Sequence, residues 1–527
     1  MPTRCLRRTC PRPDVHPDEP RVGYARGILT PVRINSPAGR WVLLATVLGS
    51  SVAALDATVV NVALPSIGRD LGTSVDGLQW ILTGYLLSLA ALILLGGALG
   101  DRFGRRRIFV VGATMFGLAS LLCGLAPNLA LLVGGRLLQG VGGAMLTPGS
   151  LAIIDATFDP DDRGQAIGAW SGFGGITAAI GPFAGGWLVE TTSWRWIFLL
   201  NLPLVIAVVL VAQRHVPETA DPDPTGRLDL LGAGLAIVGL AGTTYALIEL
   251  PALGPVAPLF LVAVLVGLAA LLALVWVEAR TPAPMLPLEL FQSRQFSGAN
   301  LVTLAVYAAL SGVFFLLLVE LQQVAGYSAL QSGAATVPLS LAMLVLSSRM
   351  GALAQRIGPR LPMTVGPFVC ALGVLLLMRI GPAADYVSTV LPAVLVFGLG
   401  LSLTVAPLTA TVLGAAESRH AGVASAVNNA VARVAGLLAI AVLPLLAGLT
   451  GTAYRQPELF QAGFRIAMQL AAGLLAFGAI IAWLTIRNDE RLAREHTQHS
   501  HCALDAPPLR GRPAAARRRA ALHRSPS

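Results

Sequence analysis

Long apolar runs separated by short polar segments dominate this chain. A helix needs about 20 apolar residues to cross a bilayer. Runs of that kind lie near 41–64, 78–100, 108–126, 129–153, 166–188 and 196–213. After a polar segment at 214–229 they resume near 230–250, 257–277, 299–321, 333–350, 362–380, 386–413, 421–449 and 464–486. The pattern predicts fourteen transmembrane helices, numbered here in chain order, and an all-α integral membrane protein.

Composition supports that reading. Of the 527 residues, 55% are hydrophobic and 12% charged, with mean hydropathy +0.72. Soluble domains carry about 25% charged residues, and no segment outside the apolar runs is large enough to form a catalytic domain. A membrane-embedded enzyme or receptor is therefore the remote alternative to a carrier. Net charge is +10, and all 37 basic residues are Arg. Eight lie in residues 1–40 and nine in 487–527, so the basicity sits in tails flanking an apolar body. That distribution points to the positive-inside bias, not to a nucleic-acid partner. With the N-terminus inside, the inner loops hold thirteen Arg and the outer loops five. Both termini are thus expected in the cytoplasm, which requires an even number of helices. The polar, Pro- and Arg-rich first 40 residues do not look like a cleavable signal.

The cysteines (Cys5, Cys10, Cys123, Cys370, Cys502) form neither a disulfide framework nor a zinc spacing. No metal site is expected in the body. His496, His499, His501 and Cys502 could bind a metal, but read more simply as tail.

Residues 97–106, GALGDRFGRR, are echoed by 351–360, GALAQRIGPR, with six of ten positions identical. Both follow an apolar helix on an inner loop, so helix 2 corresponds to helix 10. Parallel repeats are a known transporter architecture. The layout predicted is a basic tail (1–40), a six-helix half (41–213), a cytoplasmic linker (214–229), two inserted helices (230–277), a second six-helix half (278–487) and a basic tail (488–527).

Several motifs resemble the fourteen-helix drug:proton antiporter branch of the major facilitator superfamily, over roughly residues 41–487. Gly97, Asp101, Arg102, Gly104, Arg105 and Arg106 resemble its signature loop, where Asp101 could cap a helix N-terminus. Leu55-Asp56-Ala-Thr58-Val-Val-Asn61 with Pro65 resembles its helix 1. Arg136, Gln139, Gly140, Gly142 and Gly143 are similar to a helix 4 motif whose Arg is linked to proton transfer. Gly168 with Gly181, Pro182, Gly185 and Gly186 resembles the antiporter motif of exporters, although Thr177 stands where a glycine is usual. Trp194 to Pro203 looks like the start of helix 6, and Asn428, Asn429, Arg433 and Gly436 look like helix 13. The resemblance implies a major facilitator fold with two pseudo-symmetric halves.

Charges inside a bilayer are rare and usually functional. If helix 1 ends near Pro65, Asp56 lies about 13 Å deep, and Arg136 lies about 10 Å into helix 4. The two are expected to pair at similar depth, facing a central cavity. Arg433, about 18 Å into helix 13, is a further cavity candidate with Asn61, Gln139, Asn428 and Asn429. Glu249 and Glu320 near outer helix ends read as interfacial, although either could help to recruit a substrate or proton.

No nucleotide-binding motif such as GxxxxGK[ST] occurs, and no cofactor is expected. The proton is the expected coupling ion, carried by Asp56 under the influence of Arg136. The function expected is export of small hydrophobic drugs or antibiotics from the cytoplasmic membrane, by a monomer or weak dimer. Export of a specific endogenous metabolite or lipid, or uniport, is the alternative.

Overall fold

The computed structural model describes residues 32–220, 228–281, 284–415 and 421–488. Most of both basic tails, the His496–Cys502 cluster included, lies outside the described residues. Within them, fourteen helices are long and apolar enough to cross a membrane. The first six are α1 (Pro37–Asp70), α2 (Val75–Phe103), α3 (Arg105–Gly124), α4 (Leu129–Thr157), α5 (Pro160–Thr191) and α6 (Trp196–His215, broken at Leu200). Two more follow, α7 (Leu230–Leu253) and α8 (Pro258–Glu278). The last six are α9 (Arg294–Gln323), α10 (Ala329–Ile357), α11 (Arg360–Leu377), α12 (Tyr386–Gly414), α13 (Ala421–Leu446) and α14 (Pro457–Thr485). No strand occurs among the described residues.

Local chemistry starts these helices where the chain needs them. Ser36 accepts a hydrogen bond from Gly39 N, and Pro37 occupies the first helical turn, where its missing N–H costs nothing. Just before it, Val32 bridges to Phe158, and Ile34 N donates to Asp162. The approach to α1 is thereby tied to the α4–α5 turn. Asn128 caps α4, and Ser328 with Gln331 forms a reciprocal capping box on α10.

One expected boundary is wrong. Pro65 does not close α1, which runs on to Asp70. A proline removes one backbone donor and crowds the carbonyl four residues earlier. The surrounding buried residues Val62, Ala63, Leu64 and Ile67 hold the helix through that defect. Asp56 is fourteen residues from the true end, about 21 Å, and so near mid-helix.

Helices α1–α6 pack as one body and α9–α14 as another. An even number of spans puts both ends of the described chain on one face, called here the terminal face; the other is the distal face. The halves meet through α5 against α10 and α2 against α13. Their contacts concentrate toward the distal face. There Glu190 accepts from Ser328 Oγ and Leu330 N at the start of α10, and Gln79 Nε2 donates to Ile440 O at 2.7 Å. A Cβ on Gly186 would come within 2.5 Å of Ala329 O, and one on Gly333 within 2.0 Å of Pro182 O. Toward the terminal face the halves diverge: Gly164, Gly168, Gly172 and Gly174 on α5 have open space where a Cβ would stand. A cleft between the halves opens on the terminal face.

The two inserted helices differ. α8 packs mainly on α7 and is only 11% buried over its apolar window, as expected of a lipid-facing helix. α7 is less peripheral than its sparse polarity suggests. It lies against both α2 and α13, and Trp80 Nε1 donates to Glu249 at 2.9 Å. Glu249 is thus an acceptor that ties the inserted α7 to α2. Cysteines placed singly along 257–277, in a background without native cysteines, are expected to react poorly with charged aqueous thiol reagents and to gain no protection from substrate. Substrate-protected labelling along one face of α8 would contradict this placement.

Candidate functional site: a buried ion pair and the helix seams around it

Five helices converge on one carboxylate. Asp56 on α1 accepts from Arg136 Nη1 on α4 in a direct ion pair. It also accepts from Gln139 Nε2 at 3.1 Å and from Asn201 Nδ2 on α6 at 3.0 Å. Arg136 Nη1 further donates to Gln139 Oε1 at 2.8 Å, and its Nε donates to Ile81 O on α2 at 2.9 Å. Ser120 on α3 closes the network by accepting from Gln139 Nε2 at 2.7 Å. The guanidinium carbon lies 4.5 Å from the centre of the Tyr85 ring.

The pair does not face a cavity. Its side chains are 1% and 0% exposed, enclosed within the first half. The reason is helix spacing on α4, where a Cβ on Gly140 would meet Tyr85 O at 2.3 Å and one on Gly142 would meet Phe116 N at 2.7 Å. α2 and α3 therefore close on α4 from both sides, and Gly143 faces the Tyr85 hydroxyl. The carboxylate is offered N–H donors from three side chains, which compensates its loss of water. Asp56, Arg136 and Gln139 come together as the sequence suggests. Ser120 and Tyr85 are members that the sequence pattern does not single out. The available signal was a lone hydroxyl or phenol inside an otherwise apolar run, too common to single out.

The signature loop forms a clasp with an unexpected member. Asp101 pairs with Arg105 at 2.8 Å across the α2–α3 turn, and the side chain does not cap α3. Glu218, beyond α6, holds that N-terminus. It accepts from Arg106 N at 3.1 Å and lies 3.5 and 3.6 Å from the guanidinium groups of Arg106 and Arg107. Gly104 has φ +108°, and a Cβ there would strike the Glu218 carboxylate. The second half repeats the device with Gly358 at φ +86° and Asn488, whose Oδ1 accepts from Arg360 N at 3.1 Å. Glu218 and Asn488 each stand three residues beyond the end of a half's last helix, so the repeat extends to the capping residue. Gly97 packs on Pro148 of α4 at ordinary contact distance, and Arg102 is exposed on the last turn of α2.

On α5, Gly181 and Gly185 press on Thr58 and Val59 of α1, and Gly186 and Pro182 meet α10. Gly168 does none of this and faces open space. Thr177, the departure from the glycine pattern, donates to Ser51 Oγ at 3.0 Å.

Among the remaining candidates, Asn61 bonds back to Ala57 O and Asn429 to Ser425 O of their own helices. Asn428 ties α13 to α9 through Asn300 and Thr303. Arg433 is half-buried on α13 and has no hydrogen-bond or ion-pair partner among the described residues. Glu320, near the distal end of α9, is fully buried, and neither carboxyl oxygen has a partner among the described residues. The helix ends just beyond it, with Val324 N and Ala325 N both donating to Glu320 O.

Two packed six-helix bodies around a cleft define a carrier, and the chain belongs to the Major Facilitator Superfamily, whose family model matches residues 46–440. It is 36% identical over 472 residues to the puromycin resistance protein pur8 of Streptomyces alboniger, covering 87% of this chain and 93% of that protein. It is 34% identical over 454 residues to the methylenomycin A resistance protein of Bacillus subtilis, covering 85% and 95%. The fold matches the inward-facing, unoccupied crystal structure of a bacterial homolog of the human lysosomal transporter Spinster. There the TM-score is 0.60 at 17% identity, over 85% of this chain and 97% of that one.

Two outcomes follow. Removing one member of a buried pair strands the other, at about 3–5 kcal/mol. Asp56→Asn and Arg136→Gln should each lower thermal stability in detergent, and the double variant should lose much less than their sum. Additive losses in that cycle would mean the two do not interact. At the clasps, Asp101→Ala and Glu218→Gln are expected to slow turnover with little change in substrate affinity, whereas Gln355→Ala, at the position that matches Asp101 in the second copy of the loop, is mild. Equal losses at Asp101 and Gln355 would contradict unequal clasps.

Proposed function

We propose that this chain exports small hydrophobic or amphiphilic drugs or antibiotics across the cytoplasmic membrane in exchange for protons, with the terminal face on the cytoplasmic side. The observation that carries the reading is Asp56, an intramembrane carboxylate held by Arg136, Gln139 and Asn201. Hydration and donor geometry around this carboxylate change when the halves rock. Protonation of Asp56 deprives Arg136 of its counter-charge. The α1–α4 contact then weakens in the state that has taken up a proton and re-forms once the proton leaves. A ligand or proton shifts a conformational equilibrium only through different affinity for the two states, and this pair supplies such a difference.

The arginine bias of the loops supports a cytoplasmic terminal face, so the conformation described is open to the inside. The antibiotic-resistance names of the relatives support drug-like substrates. We further infer that the proton is the sole coupling ion and that the carrier works as a monomer or weak dimer. Asp56→Asn is expected to abolish uphill export while the protein still inserts and binds substrate. Inverted vesicles carrying the native chain should show a substrate-dependent pH change that the variant lacks. Full gradient-driven efflux by the variant, or no proton flux with any exported compound, would overturn the proposal.

A further inference from the structure

Arg433 is the charge that the ion-pair network leaves out. It lies twelve residues into α13, about 18 Å from that helix's terminal-face end. α13 packs on α2 of the first half and α9 of the second. Gly436, one turn further along, lies within 4 Å of Leu86 on α2 and Ser311 on α9 at its Cβ position. Arg433 is therefore on the seam, where the halves separate toward the terminal face. Its Nε is buried without a hydrogen bond, and no carboxylate pairs with it among the described residues. The intramembrane acids are otherwise engaged or remote: Asp56 belongs to Arg136, and Glu320 stands near the distal end of α9.

A guanidinium held partly out of water without a counter-ion is unfavourable unless something supplies one. Its planar donor fork suits a carboxylate. We propose that Arg433 forms a receptor for an acidic group on the transported molecule, so that the carrier favours amphiphilic acids over organic cations. This rests on the exporter reading and specifies its substrate class.

Fluorescein and rhodamine 123 share a xanthene core but carry opposite charge at neutral pH. Their binding to the full chain in phosphatidylcholine nanodiscs can be followed by fluorescence anisotropy, without any need for transport. Fluorescein should bind at least about tenfold more tightly than rhodamine 123, the worth of a charge-assisted contact. Arg433→Gln should erase that preference, and Arg433→Lys, which keeps the charge and guards against a folding artefact, should retain part of it. No fluorescein binding, equal or tighter binding of rhodamine 123, or an unchanged preference in Arg433→Gln would overturn the receptor. A preference that disappears in phosphatidylglycerol discs would assign the site to a lipid headgroup and likewise overturn it. Efflux of both dyes from cells separates the two readings, because loss of charge selectivity with efflux intact defeats only this inference.

Discussion

An aspartate and an arginine stripped of water inside one half-bundle set the terms for the rest of this structure. Either charge alone would be untenable there, so the helices that carry them must keep station. α1 and α4 are bound through the pair, α6 through Asn201, α3 through Ser120, and α2 through the Ile81 carbonyl and the Tyr85 ring. That requirement accounts for the glycines of α4, which let α2 and α3 approach closely enough to exclude water. A change of charge at Asp56 would thus act on the registration of five helices at once.

The two halves use the same parts with different charge. Gly104 and Gly358 make equivalent turns, and residues three beyond the final helix of each half return to cap the third. The first half employs a glutamate against two arginines, the second an asparagine against one backbone donor. The ion-pair network has no counterpart among the described residues of the second half, where Asn428, Asn300 and Thr303 form a neutral link and Arg433 stands alone. The two halves thus differ in where they hold buried charge.

The seam between the halves is closed at the distal face by backbone approach at Gly186 and Gly333 and by side-chain bonds from Gln79 and Glu190. Around these points α5 packs on α10 about as extensively as on α1, and α2 packs on α13. Two halves meeting along two helix pairs fit the rocking of a carrier. α7 lies across that seam on α2 and α13, so the inserted pair is not merely decoration on the lipid side.

Fourteen spans, an all-helical fold and two related halves were legible in the chain, because a bilayer imposes its thickness on apolar runs and a duplicated loop keeps its turn chemistry. The intramembrane charges were legible for the same reason: in lipid, a charged residue stands out against its neighbours. What the sequence could not supply was direction. Asp56 and Arg136 are visible as a pair, but whether they face a cavity or a sealed interior depends on how closely α2 and α3 approach α4. Glu320 reads as interfacial from its place near a helix end, and only the packed fold shows that its side chain is enclosed by protein. The capping role of Glu218 required a segment 112 residues away to return to Arg106. Local composition decides what enters the membrane; the packing of distant helices decides which side of each one meets water, lipid or another charge.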